Sequence, residues 1–168
     1  ADYFLSDAEY YEKNILPEGV LYNGPVLRFG TPRCDILVNE REDMHHIIRQ
    51  RYHLSQETKI VMYAPTFRGG SQGTHRSIST SGFAPDYDRL LRALEKRFGG
   101  SLVVFLRLHP QLTARHIQAQ AENSNLIDVS RADDMYELLA GCDALVTDYS
   151  SVSFDTLVTP IPAFLYVE

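Results

Sequence analysis

Side chains that can hold an anion recur where the apolar, strand-like runs of this 168-residue chain end. Arg33 and Arg68 each follow such a run, and a guanidinium can grip an oxyanion through two parallel N–H donors. His109 ends the most apolar run, and its imidazole can act as a general base or, when protonated, hold a phosphate. The alternatives are a surface salt bridge for each arginine and a structural, loop-bonded role for the histidine.

Hydroxyl groups accompany these cations at the same kind of position. They are Thr66 after one run, Ser130 beside Arg131 after another, and Thr147, Ser150 and Ser151 around Asp148 after a third. The segment T-D-Y-S-S (residues 147–151) leads into a predicted helix at 151–158, where free backbone N–H groups and the helix dipole favour a phosphate. The alternative is that one of the serines only caps this helix. Together these residue types predict an anion site.

Several other kinds of site find no support in the sequence. The motifs G-x-x-x-x-G-K-[ST], G-x-G-x-x-G and G-x-S-x-G do not occur, which disfavours nucleoside triphosphate hydrolysis, nicotinamide binding and acyl hydrolysis. The two cysteines and six histidines show no metal-ligand spacing, so we expect no metal site. With 16 Lys and Arg against 22 Asp and Glu, the net charge of −6 argues against a nucleic-acid partner.

Strand-like and helix-like segments alternate along the chain and would position these side chains. Strands are predicted at residues 3–5, 26–29, 59–64, 102–108, 125–129, 144–147 and 161–166, and helices at 7–15, 42–52, 87–98, 113–121, 134–140 and 151–158. Helix 42–52 would bury one face that carries Met44, Ile47, Ile48 and Tyr52. The alternation predicts an α/β fold with a doubly wound, mostly parallel, Rossmann-like sheet. Because ligands bind beyond the carboxyl ends of such strands, the polar residues would share one edge.

We interpret residues 1–168 as a single domain taken from a longer protein, since both ends fall in apolar stretches. One long irregular segment, residues 65–84, is rich in Gly and Ser, and a loop of this length inside a domain is usually functional or disordered. No membrane-spanning run and no signal peptide is predicted. Two cysteines without a C-x-x-C pair indicate a reduced, cytoplasmic setting.

Four motifs, taken in order, resemble one known family. They are G-T-P-R-C-D (30–35), Y-A-P-T-F-R (63–68), L-R-L-H-P (106–110) and C-D-A-L-V-T-D-Y-S-S-V-S-F-D (142–155). The chain resembles, over nearly its whole length, the CDP-glycerol:poly(glycerophosphate) glycerophosphotransferases, the teichoic acid polymerases and primases of Gram-positive bacteria. The resemblance implies the C-terminal, donor-binding half of a two-domain GT-B transferase. It also implies that glycerol phosphate moves from CDP-glycerol to an acceptor hydroxyl with release of CMP.

The resemblance also implies roles for individual residues. His109 would be the catalytic or phosphate-binding histidine, and Arg68, Ser150 and Ser151 would contact the pyrophosphate. The strand end at 127–131 would face the cytidine, while Thr147 and Asp148 would shape the phosphate loop. No cofactor is required, and a role for Mg²⁺ stays open without a dedicated carboxylate cluster.

The resemblance further implies a lipid-linked or polymeric acceptor, held by an N-terminal half outside this chain, and peripheral attachment to the inner face of the cell membrane. Two rival interpretations remain at this point. One is a nucleotide-sugar glycosyltransferase or epimerase of the same architecture, and the other is a non-catalytic nucleotide-binding module. The motifs do not separate primase from polymerase, or a glycerol donor from a ribitol donor.

Overall fold

The computed structural model describes residues 2–6, 8–66, 85–108 and 123–166. Its strands are β1 (Phe4–Leu5), β2 (Val26–Leu27), β3 (Lys59–Tyr63), β4 (Leu102–Leu106), β5 (Leu126–Asp128), β6 (Ala144–Thr147) and β7 (Ala163–Leu165). The main sheet has the order β5-β4-β3-β6-β7, and every pairing in it is parallel. The predicted parallel α/β fold is thereby confirmed for the described residues.

Helices of very different lengths connect these strands. They are α1 (Glu9–Asn14), α2 (Leu16–Gly19), α3 (Asp35–Asn39), α4 (Arg41–Arg51), α5 (Tyr87–Phe98), α6 (Met135–Ala140) and α7 (Val152–Asp155), with 3-10 turns at Pro32–Cys34 and Thr156–Val158. Local chemistry sets two of the starts: Asp86 accepts the backbone N–H of Arg89 at α5, and Asp134 accepts that of Tyr136 at α6. Gly99, at φ +67°, ends α5 in a conformation that favours glycine.

Side chains on β3 and β4 alternate between two apolar cores, one on each face of the main sheet. Ile60 and Met62 face a core formed with α3, α4, α6 and α7. Val61 and Tyr63 face a second core formed with α5. A parallel sheet needs this cover on both faces, which is why β4 reads as an uninterrupted apolar run. The doubly wound arrangement therefore follows from the composition of the strands.

The register brings the carboxyl ends of the central strands to one edge of the main sheet. Tyr63 lies opposite Leu106 in the β3–β4 pairing and opposite Val146 in the β3–β6 pairing. Leu106 lies opposite Asp128 in turn. The loops that leave β3, β4, β5 and β6 therefore start side by side, at what we term the carboxyl edge.

A buried arginine joins several elements at the opposite, amino edge. Arg49 on α4 is fully buried and donates hydrogen bonds to the carbonyl oxygens of Thr58, His45 and Gly141. Its Nη2 lies 2.6 Å from Oδ2 of Asp143, just before β6. Burial acts to raise the pKa of Asp143, but the hydrogen bond from the Ile60 backbone N–H and the charge of Arg49 outweigh it, so the pKa lies below its ordinary value.

A second, two-stranded parallel sheet lies outside the main one. β1 and β2 pair in register, Phe4 with Val26 and Leu5 with Leu27, and α1 and α2 connect them. Large apolar side chains here stay exposed, among them Leu5, Tyr10 and Leu21. No helix in the described part of the chain has both the length and the apolar character needed to cross a bilayer.

Several predicted strands are shorter in the structure, α2 and α3 were not predicted, and two further differences bear on the site and on the core. The helix expected at 151–158 is a four-residue α7 followed by a 3-10 turn, so it offers a smaller dipole than a full helix. On α4, Met44 and Ile48 are buried as predicted, but Ile47 is exposed. The buried face of α4 includes Arg49 in place of Ile47, because the carbonyl oxygens of Thr58 and Gly141 and the carboxylate of Asp143 accept hydrogen bonds from the Arg49 guanidinium. The helix predicted at 113–121 and residues 67–84 of the predicted loop lie outside the described residues.

Candidate functional site

The loops after β3 and β6 are tied together at the carboxyl edge by one buried carboxylate. Both the backbone N–H and the hydroxyl of Thr66 donate to Asp148, each at 2.8 Å. Beside it, the Thr147 hydroxyl donates to the carbonyl oxygen of Ala64 at 2.6 Å. Asp148 and Thr147 are both buried. These three predicted site residues are therefore brought together, and their described contacts hold two loops in fixed positions.

The loops after β4 and β5 are tied together by an arginine and a serine. Nη1 of Arg107 lies 2.9 Å from the carbonyl oxygen of Val129 and 2.8 Å from those of Ser130 and Ala132. The Ser130 hydroxyl accepts the backbone N–H of Leu108 at 2.9 Å and donates to the Leu106 carbonyl at 3.3 Å. Ser130 thus anchors the residue directly before His109.

Arg33 lies in a cluster formed around Asp155. Its Nε and Nη2 donate to the two carboxylate oxygens at 3.2 and 3.1 Å, and its guanidinium stands 5.8 Å from the ring centre of Tyr136. The Tyr136 hydroxyl donates to the same carboxylate at 2.5 Å. The salt bridge weighed for Arg33 is present, and half of its side chain remains exposed.

The titration of this cluster follows from its contacts. Burial acts to raise the pKa of Asp155, but the hydrogen bonds from Arg33 and Tyr136 outweigh it and hold the pKa below its ordinary value. Burial and the neighbouring Asp155 raise the pKa of the Cys34 thiol. Asp155 is therefore an anion at neutral pH and Cys34 a thiol, so Asp155 compensates much of the charge of Arg33.

The turn after β6 carries donors that the rest of the described chain leaves unused. Ser151 is exposed, and within the described ranges neither its hydroxyl nor its backbone N–H has a hydrogen-bond acceptor. The Ser150 hydroxyl accepts the backbone N–H of Val152 at a long 3.4 Å, so Ser150 rather than Ser151 makes the weak cap of α7. The hydroxyl and backbone N–H of the exposed Ser151 and the hydroxyl of the half-buried Ser150 therefore remain as donors without a described acceptor, close in sequence to Asp148.

Three predicted site residues, Arg131, Arg68 and His109, have no described contact at the carboxyl edge. Arg131 is exposed, and its side chain makes no hydrogen bond to any described residue. Arg68 and His109 lie outside the described residues, and their roles stay predictions. Among the residues that the structure describes, no group of three or more His, Cys, Asp or Glu side chains could hold a metal ion.

Two residues of this edge were missed by the sequence reasoning. Arg107 carries the only charge in the predicted strand 102–108, and a charged residue in such a run signals a defined partner. Tyr136 gave no comparable signal, because tyrosines are common in half-buried positions. Asp155 closes the motif at 142–155, and its carboxylate is the partner of Arg33.

The chain is similar in sequence to proteins of teichoic acid synthesis. A teichoic acid poly(glycerol phosphate) polymerase of Staphylococcus epidermidis is 31% identical over 167 residues, which are 98% of this chain and 22% of that protein. A teichoic acid glycerol-phosphate transferase of Staphylococcus aureus is 31% identical over 167 residues, 98% of this chain and 41% of that protein. The chain therefore spans less than half the length of these relatives.

A solved structure agrees with the fold. The wall teichoic acid polymerase TagF, a variant soaked with CDPG, superposes with a TM-score of 0.74 at 31% identity, covering 98% of this chain and 37% of that one. The mostly parallel sheet with flanking helices is thus shared with that polymerase. The sequence match to the CDP-Glycerol:Poly(glycerophosphate) glycerophosphotransferases runs over residues 1–168, and the chain belongs to that family.

Proposed function

We propose that this chain binds CDP-glycerol within a longer enzyme that transfers glycerol phosphate to an acceptor hydroxyl during teichoic acid synthesis. The acceptor oxygen forms a bond to the β-phosphorus of CDP-glycerol. The bond from that phosphorus to the bridging oxygen breaks, and CMP leaves with the bonding electrons. The proton of the acceptor hydroxyl passes to a base, the role assigned to His109. The family membership and the CDPG-soaked relative support this choice of donor.

The donors of Ser150 and Ser151 that have no acceptor among the described residues are the observation that carries the proposal. A diphosphate needs several N–H and O–H donors on one side, held in place before it arrives. Ser151 offers a hydroxyl and a backbone N–H that have no partner within the described ranges. The preceding Asp148 is fixed by Thr66, so the turn is already ordered. Cytidine diphosphate groups would therefore lie over the turn after β6.

The other candidate residues divide into two kinds in this proposal. Thr66, Thr147 and Ser130 fix the loops, because their polar groups already have partners. Arg131 and Arg68 supply positive charge to the diphosphate, Arg131 from an exposed side chain. Arg33 keeps one guanidinium nitrogen, Nη1, that does not contact Asp155, and could add a donor at the rim.

The second sheet supports a larger, two-part enzyme. Within the described residues this parallel pair has no third strand beside it, so β1 and β2 are suited to join further strands. The relatives are more than twice as long as this chain. We infer that the rest of the enzyme completes this sheet, holds a lipid-linked or polymeric acceptor and brings the active site to the inner face of the membrane.

Titration calorimetry with CDP-glycerol, CDP-ribitol and UDP-glucose tests the proposal. We expect heat from CDP-glycerol, with affinity lowered at least about tenfold in Ser151→Ala, the loss of roughly one hydrogen bond to a charged group. Ser55→Ala serves as the matched control, because Ser55 is exposed at the amino edge and its hydroxyl bonds Thr58 and no other described residue. Preference for UDP-glucose would favour a nucleotide-sugar transferase, and no binding of any nucleotide by the complete protein would overturn the proposal.

A further inference from the structure

Arg107 makes an unusual set of contacts at the carboxyl edge. A single nitrogen, Nη1, lies within 2.9 Å of three carbonyl oxygens, those of Val129, Ser130 and Ala132. These oxygens belong to one loop, residues 129–132, which connects β5 to α6. The backbone N–H of Arg107 donates to the Tyr63 carbonyl at 2.9 Å, which fixes the base of the side chain to β3.

Three carbonyl dipoles that point at one nitrogen repel each other unless a cation lies between them. The conformation of the loop at 129–132 therefore depends on the guanidinium of Arg107, since charge-assisted hydrogen bonds are stronger than neutral ones. The Ser130 hydroxyl reinforces the same contact by accepting the Leu108 backbone N–H. Arg131 lies in this loop with an exposed side chain, and the two residues that flank it, Ser130 and Ala132, both contact Arg107 through their carbonyl oxygens. The position of Arg131 is therefore fixed through Arg107.

We propose that Arg107 is a positioning residue of the donor site, which holds the loop at 129–132 in the shape that receives the nucleotide. The inference rests on the proposed function, because it concerns how the same site takes CDP-glycerol. Arg107 does not touch the donor in this account. It acts through the backbone of the loop and through the placement of Arg131, so its loss weakens donor binding selectively.

Steady-state kinetics of the complete enzyme, with Arg107→Met and Arg107→Lys, tests the inference. We expect the KM for CDP-glycerol to rise about 10- to 100-fold in Arg107→Met, as misplacement of a binding group does. Arg107→Lys keeps the charge and most of the stem and recovers part of this loss. The KM for the acceptor stays within about twofold, which a general loss of structure would not produce. Arg92→Met, an exposed arginine of α5, is the matched control.

Hydrogen exchange at the amides of residues 129–132 separates failure of this inference from failure of the proposed function. Faster exchange there in Arg107→Met, with the rest of the sheet unchanged, supports the positioning role. If Arg107→Met does not fold, the same measurements on Arg107→Lys decide the question. A folded variant with unchanged loop exchange and an unchanged KM for CDP-glycerol overturns the inference. The proposed function fails separately, if the wild-type enzyme binds no CDP-glycerol.

Discussion

Replacement of Arg49 by Met removes a buried cation while keeping much of its volume. The guanidinium is fully buried and supplies the hydrogen bonds to Thr58, His45, Gly141 and Asp143. Removing one partner of a buried ion pair costs about 3–5 kcal/mol, because the other charge and the carbonyls lose their compensation. Asp143 keeps the Ile60 N–H at 2.8 Å and Lys59 at 3.3 Å, which places the expected loss near the lower end.

Urea unfolding of the purified chain measures this loss, and Arg51→Met provides the matched control. Arg51 lies two residues further along the same helix and pairs with Glu137 through two hydrogen bonds of 3.0 and 2.7 Å, but 44% of its side chain is exposed. An exposed pair of this kind contributes no more than about 1 kcal/mol. A loss of about 3 kcal/mol in Arg49→Met corresponds to a fall of roughly 6–12 °C in Tm.

The pH dependence adds a second check on the same variant. The pKa of Asp143 lies below its ordinary value in the folded protein, in part because of Arg49. At neutral pH the Arg49→Met protein holds a carboxylate that has lost its buried cation and keeps only the Ile60 N–H and Lys59, and protonation relieves this loss as the pH falls toward about 4. The difference in stability between the two proteins therefore shrinks in acid. Equal losses in Arg49→Met and Arg51→Met at pH 7 would refute this reasoning.

Three further perturbations follow from the carboxyl edge. We expect Asp148→Ala to lower the free energy of unfolding by about 1.5–3 kcal/mol, and Thr66→Val to lower it by less. Because the two side chains bond each other, the loss in the double mutant should be smaller than the sum of the single losses, and additive losses would contradict the Thr66–Asp148 contact. Asp155→Asn speeds alkylation of Cys34 by iodoacetamide at pH 7–8, since the carboxylate raises the pKa of the thiol; an unchanged rate would contradict this. Because the folded-state pKa of Asp155 is lowered, its stabilisation is complete above about pH 4 and is lost as the pH falls through that pKa. The stability difference between wild type and Asp155→Asn therefore shrinks as the pH falls below about 4, which urea unfolding at pH 7 and at acid pH measures.

Much of the fold could be predicted from local patterns. The helix at Tyr87–Phe98 and the strand at Ala144–Thr147 have the predicted bounds, because an aspartate cap, a terminal glycine and a short apolar run each specify them locally. The inward turn of Arg49 could not be predicted in this way. It depends on carbonyl groups of Thr58 and Gly141, and only the folded arrangement brings these together.

The candidate site was predicted in composition but not in detail. The rule that loops gather at the carboxyl ends of parallel strands correctly brought Thr66 and Asp148 together across 82 positions of sequence. Which hydroxyls already have partners is set by the strand register, so the sequence alone could not separate Ser130 from Ser151. The shortening of the helix after Ser151 could not be predicted either: Val152 is buried, but Phe154, Leu157 and Val158 are exposed, so these residues form no buried face along 151–158.

A crystal structure of the complete enzyme with CDP-glycerol would show where the donor binds. We expect the diphosphate to lie over the turn after β6, with a phosphate oxygen within hydrogen-bond distance of the hydroxyl or backbone N–H of Ser151. We also expect the nucleoside to lie against the loop at 129–132. A diphosphate bound at the amino edge, or on the face away from Ser150 and Ser151, would contradict the proposed donor site.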